Sequence, residues 1–139
     1  MRPFHLAFPV TDLESTRRFY GQVLGCKIGR ESPGHWVDFD FFGHQLSAHL
    51  SAAPREAAVE GLVDGETVTI PHFGVILAMG DFLALAKRLE ADPQTRWGVK
   101  PKLRFEGQSG EQRTMFVLDP SGNALEFKAF ADDMQIFAV

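Results

Sequence analysis

Four side chains in this sequence, His5, His49, His72 and Glu126, have the chemistry of metal donors, and two of them recur at matching places along the chain. His5 and His72 are separated by about half its length. Each sits in a short run where apolar and other residues alternate: Phe4, Leu6 and Phe8 against His5, Ala7 and Pro9, then Phe73, Val75 and Leu77 against His72, Gly74 and Ile76. His49 and Glu126 stand in two further alternating runs. Imidazole nitrogen and carboxylate oxygen are the usual donors to a divalent cation. Taken singly, His49 or Glu126 on a strand more often faces water, because antiparallel sheets commonly leave one face solvated. The matching placement of His5 and His72, each followed two residues later by a small residue, lifts those two above that reading. Small neighbours would leave room for an ion, water and a substrate.

Elements that could carry these residues can be read from the spacing. After the first strand comes TDLESTRRFYGQVLG, in which Thr11 and Glu14 form a capping-box pattern at a helix start. Leu13, Tyr20, Val23 and Leu24 share a helical face, and Gly25 is the expected stop. WVDFDFFGHQLSAHL predicts two strands around Gly43 and His44. Val37, Phe39 and Phe41 share one face and Trp36, Asp38 and Asp40 the other; beyond the turn, Leu46, Ala48 and Leu50 oppose Gln45, Ser47 and His49. The pattern then restarts. Asp81 is the expected cap of DFLALAKRLEAD, whose stripe is Phe82, Leu85, Ala86 and Leu89, and Asp92-Pro93 ends it. LRFEG and RTMFVLD read as strands and DPSGN as a turn. In ALEFKAF, Leu125, Phe127 and Ala129 oppose Ala124, Glu126, Lys128 and Phe130. Strand–helix–strands therefore occurs twice, a repeat of pattern with little identity. Module one is expected over about residues 1–52 and module two over about 70–131. The Ala-, Gly- and acid-rich stretch of about 53–69 reads as a linker, with a helical turn at Pro54 to Val59.

Composition bounds the function classes. The chain has 139 residues, 45% hydrophobic and 23% charged, which fits one globular domain. A net charge of −4 disfavours nucleic acid and acidic membranes as partners, and no apolar run approaches the ~18 residues of a bilayer span. A polar residue comes too early for a signal peptide, and Cys26 is the only cysteine. A cytoplasmic location is expected, with Cys26 a small buried residue. Thirteen phenylalanines against one tyrosine point to a filled interior or an aromatic pocket. His35 reads as a loop residue, His44 as a turn residue or substrate contact, Asp38 and Asp40 as solvated, and Tyr20 as packed on its helix. No phosphate-binding glycine loop, nucleophile elbow or HExxH motif is present.

FYGQVLGC after the strand bearing His5, followed in the second half by FVLDPSGNALEF, resembles the vicinal oxygen chelate superfamily, the group of glyoxalases, bleomycin-resistance proteins and extradiol dioxygenases. The resemblance covers nearly the whole chain. It implies an α+β fold of two βαβββ modules forming an open, curved, mixed sheet around a central cavity. It also implies ligands from the first and last strands of each module. Carried over by position, these are His5, His72 and Glu126. Ser47 or His49 aligns at the remaining place, and His49 is taken as the better donor, a departure from the commoner Glu or Gln. One divalent metal ion is expected, with Zn, Fe, Mn, Ni and Co not distinguished. The expected activity is that of a metal-dependent enzyme on a small substrate with vicinal oxygens, by isomerase-, lyase- or dioxygenase-type chemistry. The alternative is a metal-free binding or resistance protein using the same cavity. Trp36, Phe42, His44, Lys128 and Phe130 are the candidate substrate contacts. The expected assembly is a homodimer.

Overall fold

The computed structural model of the protein describes residues 1–52 and 59–139. Two units are present, residues 1–56 with 119–123 and residues 57–118 with 124–139.

In the first unit, β1 (His5–Val10) leads through α1 (Leu13–Arg17) to β2 (Lys27–Ser32), β3 (Trp36–Phe41) and β4 (His44–Leu50). The sheet order is β1-β4-β3-β2, with β1 parallel to β4 and the other pairs antiparallel. The apolar faces read from the alternation bury Phe8, Val37, Phe39, Phe41, Leu46 and Ala48, and Val10 continues the first of them; Phe4 and Leu50, expected on the same faces, lie at strand ends and are exposed. They share the interior with Leu13, Phe19, Tyr20 and Leu24. Tyr20 is fully buried, its ring 5.0–6.5 Å from those of Phe8, Phe19, Phe39 and Phe41. Its hydroxyl donates to Asp119 Oδ2 at 2.9 Å. Asp119 also accepts from the amides of Ser121 and Asn123 and from Asn123 Nδ2. Asn123 Nδ2 reaches on to the Pro9 carbonyl, and the Thr11 amide donates to Ser121 Oγ. The DPSGN turn is thus part of the first unit, although it joins two strands of the second.

The second unit opens with β5 (Val59–Val63) and β6 (Glu66–Ile70). There follow β7 (Phe73–Ile76), α2 (Met79–Ala91), β8 (Arg96–Arg104), β9 (Gln112–Leu118) and β10 (Ala124–Phe130), then a 3₁₀ turn at Asp133–Gln135. The order β7-β10-β9-β8, with β7 parallel to β10, repeats that of the first unit. The fold is α+β, with two βαβββ modules. The stripe Phe82, Leu85, Ala86 and Leu89 is buried, as are Met115, Val117, Leu125, Phe127 and Ala129 on the strands.

Several local expectations need correction. The first helix is capped by Asp12, whose carboxylate accepts from the Ser15 amide at 2.7 Å, while the Thr11 hydroxyl faces Ser121. The Ser15 amide, followed by its side chain, holds the Asp12 carboxyl below the usual range. After Arg17 the helix widens into a π-helical turn, Arg18–Val23, with the Leu24 amide bonded to the Phe19 carbonyl. Within that turn Phe19 and Tyr20 are buried and Val23 is half-buried, while Thr16 is buried on α1. α2 starts at Met79, with Asp81 in its first turn, where the helix dipole favours a carboxylate. β2 carried no alternation to read: it is an edge strand with almost every residue exposed. β8 begins at Arg96, well before LRFEG, and Phe105–Gly107 lie beyond its end. The turn before His44 is Phe42–Gly43, both at positive φ.

The expected linker also holds structure. β5 and β6 form an antiparallel hairpin around Asp64-Gly65, both at positive φ, the arrangement that an Asp-Gly pair favours. Val68 is buried with Val99 and Phe116, and Val63 packs against that cluster. Lys102 pairs with Glu66 at 2.8 Å, and Arg104 with Asp64. The expected helical turn at Pro54 to Val59 falls outside the described residues except for Val59, which begins β5. Among the described residues, no helix is long and apolar enough to cross a membrane.

Candidate functional site

In the second unit, His72 lies just before β7 and Glu126 on β10. His72 Nδ1 is 2.8 Å from the Thr69 carbonyl oxygen. A carbonyl only accepts, so Nδ1 carries a proton and donates it there. His72 Nε2 then stands 3.1 Å from Glu126 Oε2. The Phe116 ring and the imidazole meet edge to face, at 4.9 Å between centroids and 83° between planes. The other carboxylate oxygen, Oε1, accepts from the Thr114 hydroxyl at 2.7 Å, and Lys128 Nζ is 3.6 Å away. Only 11% of the Glu126 side chain is exposed, so its orientation is fixed by partners rather than by water.

Gly74 makes this arrangement possible. It lies opposite Glu126 in the parallel β7–β10 ladder, and a Cβ on it would fall 1.5 Å from the Glu126 carbonyl oxygen. The glycine permits close approach of two backbones, which replaces the expectation that it leaves room for an ion.

In the first unit, the polar face of the sheet carries His5, Gln45, Ser47 and Asp38. His5 Nδ1 is 2.9 Å from Gln45 Oε1, Gln45 Nε2 is 3.4 Å from Asp38 Oδ2, and the Ser47 hydroxyl donates to Asp38 Oδ1 at 2.5 Å. Asp38 is half-buried and bonded rather than solvated. Asp40 accepts from the Gly43 amide and serves the turn. The ladder places Ser47 opposite Ala7, as Glu126 stands opposite Gly74. His49 therefore corresponds to Lys128; it is exposed, with its ring 6.4 Å from that of Trp36.

The candidate substrate contacts differ in what they present. His44 Nδ1 accepts from the Phe4 amide, which leaves its proton on Nε2. Phe42 is exposed at the turn, with its ring edge on Phe41 at 5.0 Å. Trp36 is half-buried and Phe130 buried. Lys128 keeps its ammonium near Glu126. A concavity in the first unit lined by Asp12, Arg17, Arg18, Gln22, Cys26 and Ile28 contains none of these residues.

Among the described residues, no three His, Cys, Asp or Glu side chains gather as a metal cluster. The His72–Glu126 pair nevertheless has the donor chemistry for a divalent ion. With Nδ1–H used by Thr69, a neutral imidazole sets its Nε2 lone pair against a carboxylate lone pair. A cation shared by the two atoms, either a proton or a metal ion, relieves that opposition. At 3.1 Å apart, Nε2 and Oε2 are close enough that they could hold one ion between them. The periodicity of the sequence singles out His72 and Glu126 as candidates; the contacts of Thr114, Gln45 and Asp38 are legible only from strand register.

The model of the Glyoxalase/Bleomycin resistance protein/Dioxygenase superfamily matches residues 2–127. Among solved structures, a glyoxalase/bleomycin resistance protein/dioxygenase from Alicyclobacillus acidocaldarius is 35% identical, with a TM-score of 0.78 over 96% of this chain and 95% of that one. The fosfomycin resistance protein FosX from Listeria monocytogenes is 16% identical, with a TM-score of 0.68 over 93% of each chain. Lactoylglutathione lyase from Agrobacterium tumefaciens is 19% identical, with a TM-score of 0.63 over 91% of each. The two latter likenesses are of fold. The search of curated proteins finds no match.

Proposed function

Because the chain belongs to the glyoxalase/bleomycin resistance protein/dioxygenase superfamily, we propose that it is a divalent-metal-dependent enzyme acting on a small substrate with adjacent oxygens. The observation that carries this reading is the pair of opposed donors, His72 Nε2 and Glu126 Oε2, at 3.1 Å. Thr69 orients the imidazole and Thr114 the carboxylate, so both donors are held before any ion arrives. His5, in the first unit, is a candidate nitrogen donor in its own right. Bound to such donors, a divalent ion supplies Lewis acidity towards adjacent substrate oxygens. Lys128, beside Glu126, adds positive charge for an anionic substrate group.

Metal analysis after purification without added metal is expected to give about one equivalent per chain. His72→Ala is expected to lower divalent-metal affinity at least ~10-fold. Glu126→Gln, which keeps size and strand fit but removes the anionic donor, is expected to lower metal retention while the protein stays folded. Wild-type metal occupancy and melting temperature in Glu126→Gln would return that side chain to a structural role. A wild-type chain that binds no divalent metal but still binds a small oxygenated ligand would make the protein a metal-free binding module. The same reading includes a symmetric dimer, the commonest closed assembly. Sedimentation at micromolar concentration is expected to give twice the 15.5 kDa chain mass.

A further inference from the structure

The Asp38–Gln45–His5 chain fixes more than side-chain position. Asp38 offers only lone pairs when ionised, so the Gln45 amide must turn its NH₂ towards it. In the opposite orientation the amide oxygen would face a carboxylate oxygen. With Nε2 directed to Asp38, the Gln45 oxygen is the atom facing His5, at 2.9 Å. An amide oxygen accepts and does not donate, so His5 Nδ1 carries the proton and Nε2 the lone pair. Asp38 is itself held by the Ser47 hydroxyl at 2.5 Å. All four residues lie on neighbouring strands in register: His5 opposite Gln45, and Ser47 opposite both Ala7 and Asp38. A solvated histidine prefers the other neutral form, with the proton on Nε2, where the lone pair is turned towards its own backbone.

We infer that Asp38 is a positioning residue that acts through Gln45 to hold the His5 imidazole in its Nδ1–H form, with Nε2 presented as a donor. The use of that donor for a metal rests on the function proposed above; the tautomer does not.

The test is nitrogen-15 NMR of the histidine rings in metal-free protein at about pH 8.5, two units above the usual imidazole pKa. Wild-type His5 is expected as the Nδ1–H form. Gln45→Ala, at an exposed site, should move most of the His5 population to the Nε2–H form. Asp38→Ala should do the same if it folds, because a freed amide can turn its NH₂ to Nδ1. Asp38→Ala with Gln45→Glu should restore the Nδ1–H form, since a carboxylate has no proton to offer. That rescue distinguishes positioning from general disruption. Wild-type shifts in Gln45→Ala, or an Nε2–H form in the wild type, would overturn the assignment. A tautomer series that behaves as expected in a chain that takes up no metal would keep Asp38 in its role and remove the metal reading alone.

Discussion

Gly74→Ala is expected to lose more than about 4 kcal/mol of stability, or to prevent folding, which puts it among the largest single-substitution effects. The added Cβ would lie 1.5 Å from the Glu126 carbonyl oxygen, 2.6 Å from its carbon and 3.0 Å from its nitrogen. All three are backbone atoms, so no rotamer change relieves the clash. The β7–β10 ladder would have to open, and with it the placement of both His72 and Glu126. Ala7 occupies the corresponding place in the first unit, opposite Ser47, and carries a Cβ there. Ala7→Gly is therefore the control, with an expected cost of about 1 kcal/mol or less. Urea denaturation measures both; a Gly74→Ala midpoint equal to that of the wild type would contradict the close approach of the strands.

Asp119→Ala is expected to cost about 3–5 kcal/mol. Asp119 is fully buried and accepts from the Tyr20 hydroxyl, the Ser121 and Asn123 amides and Asn123 Nδ2. Removing it strands several donors at once, and each buried donor without a partner costs about 1–3 kcal/mol. Tyr20→Phe removes one donor and leaves the carboxylate with its other three partners, so it should cost only about 1–2 kcal/mol. The ordering of the two variants in urea denaturation is the check. Equal midpoints for Asp119→Ala and the wild type would mean that the turn is held by something else.

What the sequence made legible follows from where burial is one-sided. Strands β1, β3, β4 and β10 each bury apolar residues on one face and β7 half-buries Phe73 and Val75, so period-two alternation marked them, and α2 showed its stripe for the same reason; β9 is buried along most of its length and showed as an apolar run. The edge strand β2 buries almost nothing and left no pattern. The β5–β6 hairpin buries chiefly Val68, too little to alternate, and its Asp64-Gly65 turn lies among other acidic and glycine residues that mask its signal. In the site, periodicity placed His5, His72 and Glu126 on non-core faces. It did not say which residue stands opposite which. Choosing between Ser47 and His49, or seeing that His5 meets Gln45, requires the register of β1 on β4. In sequence Asp38 is indistinguishable from a carboxylate on a solvated strand face; its bonds to Gln45 and Ser47 exist only in the folded register.

The DPSGN turn also sets an order of events during synthesis. Tyr20 and its partner Asp119 are 99 residues apart in sequence. At about 5–20 residues per second, a translating ribosome delivers the second roughly 5–20 seconds after the first. Throughout that interval the nascent first unit holds an aromatic cluster whose central hydroxyl has not yet met its acceptor. The half that is begun first therefore waits for its last segment until β9 of the second half has been translated, with only β10 and the C-terminal residues still to come. A recombination event that exchanged one half for another would have to carry a five-residue piece of the donor's later half with it, which ties the inheritance of the two repeats together.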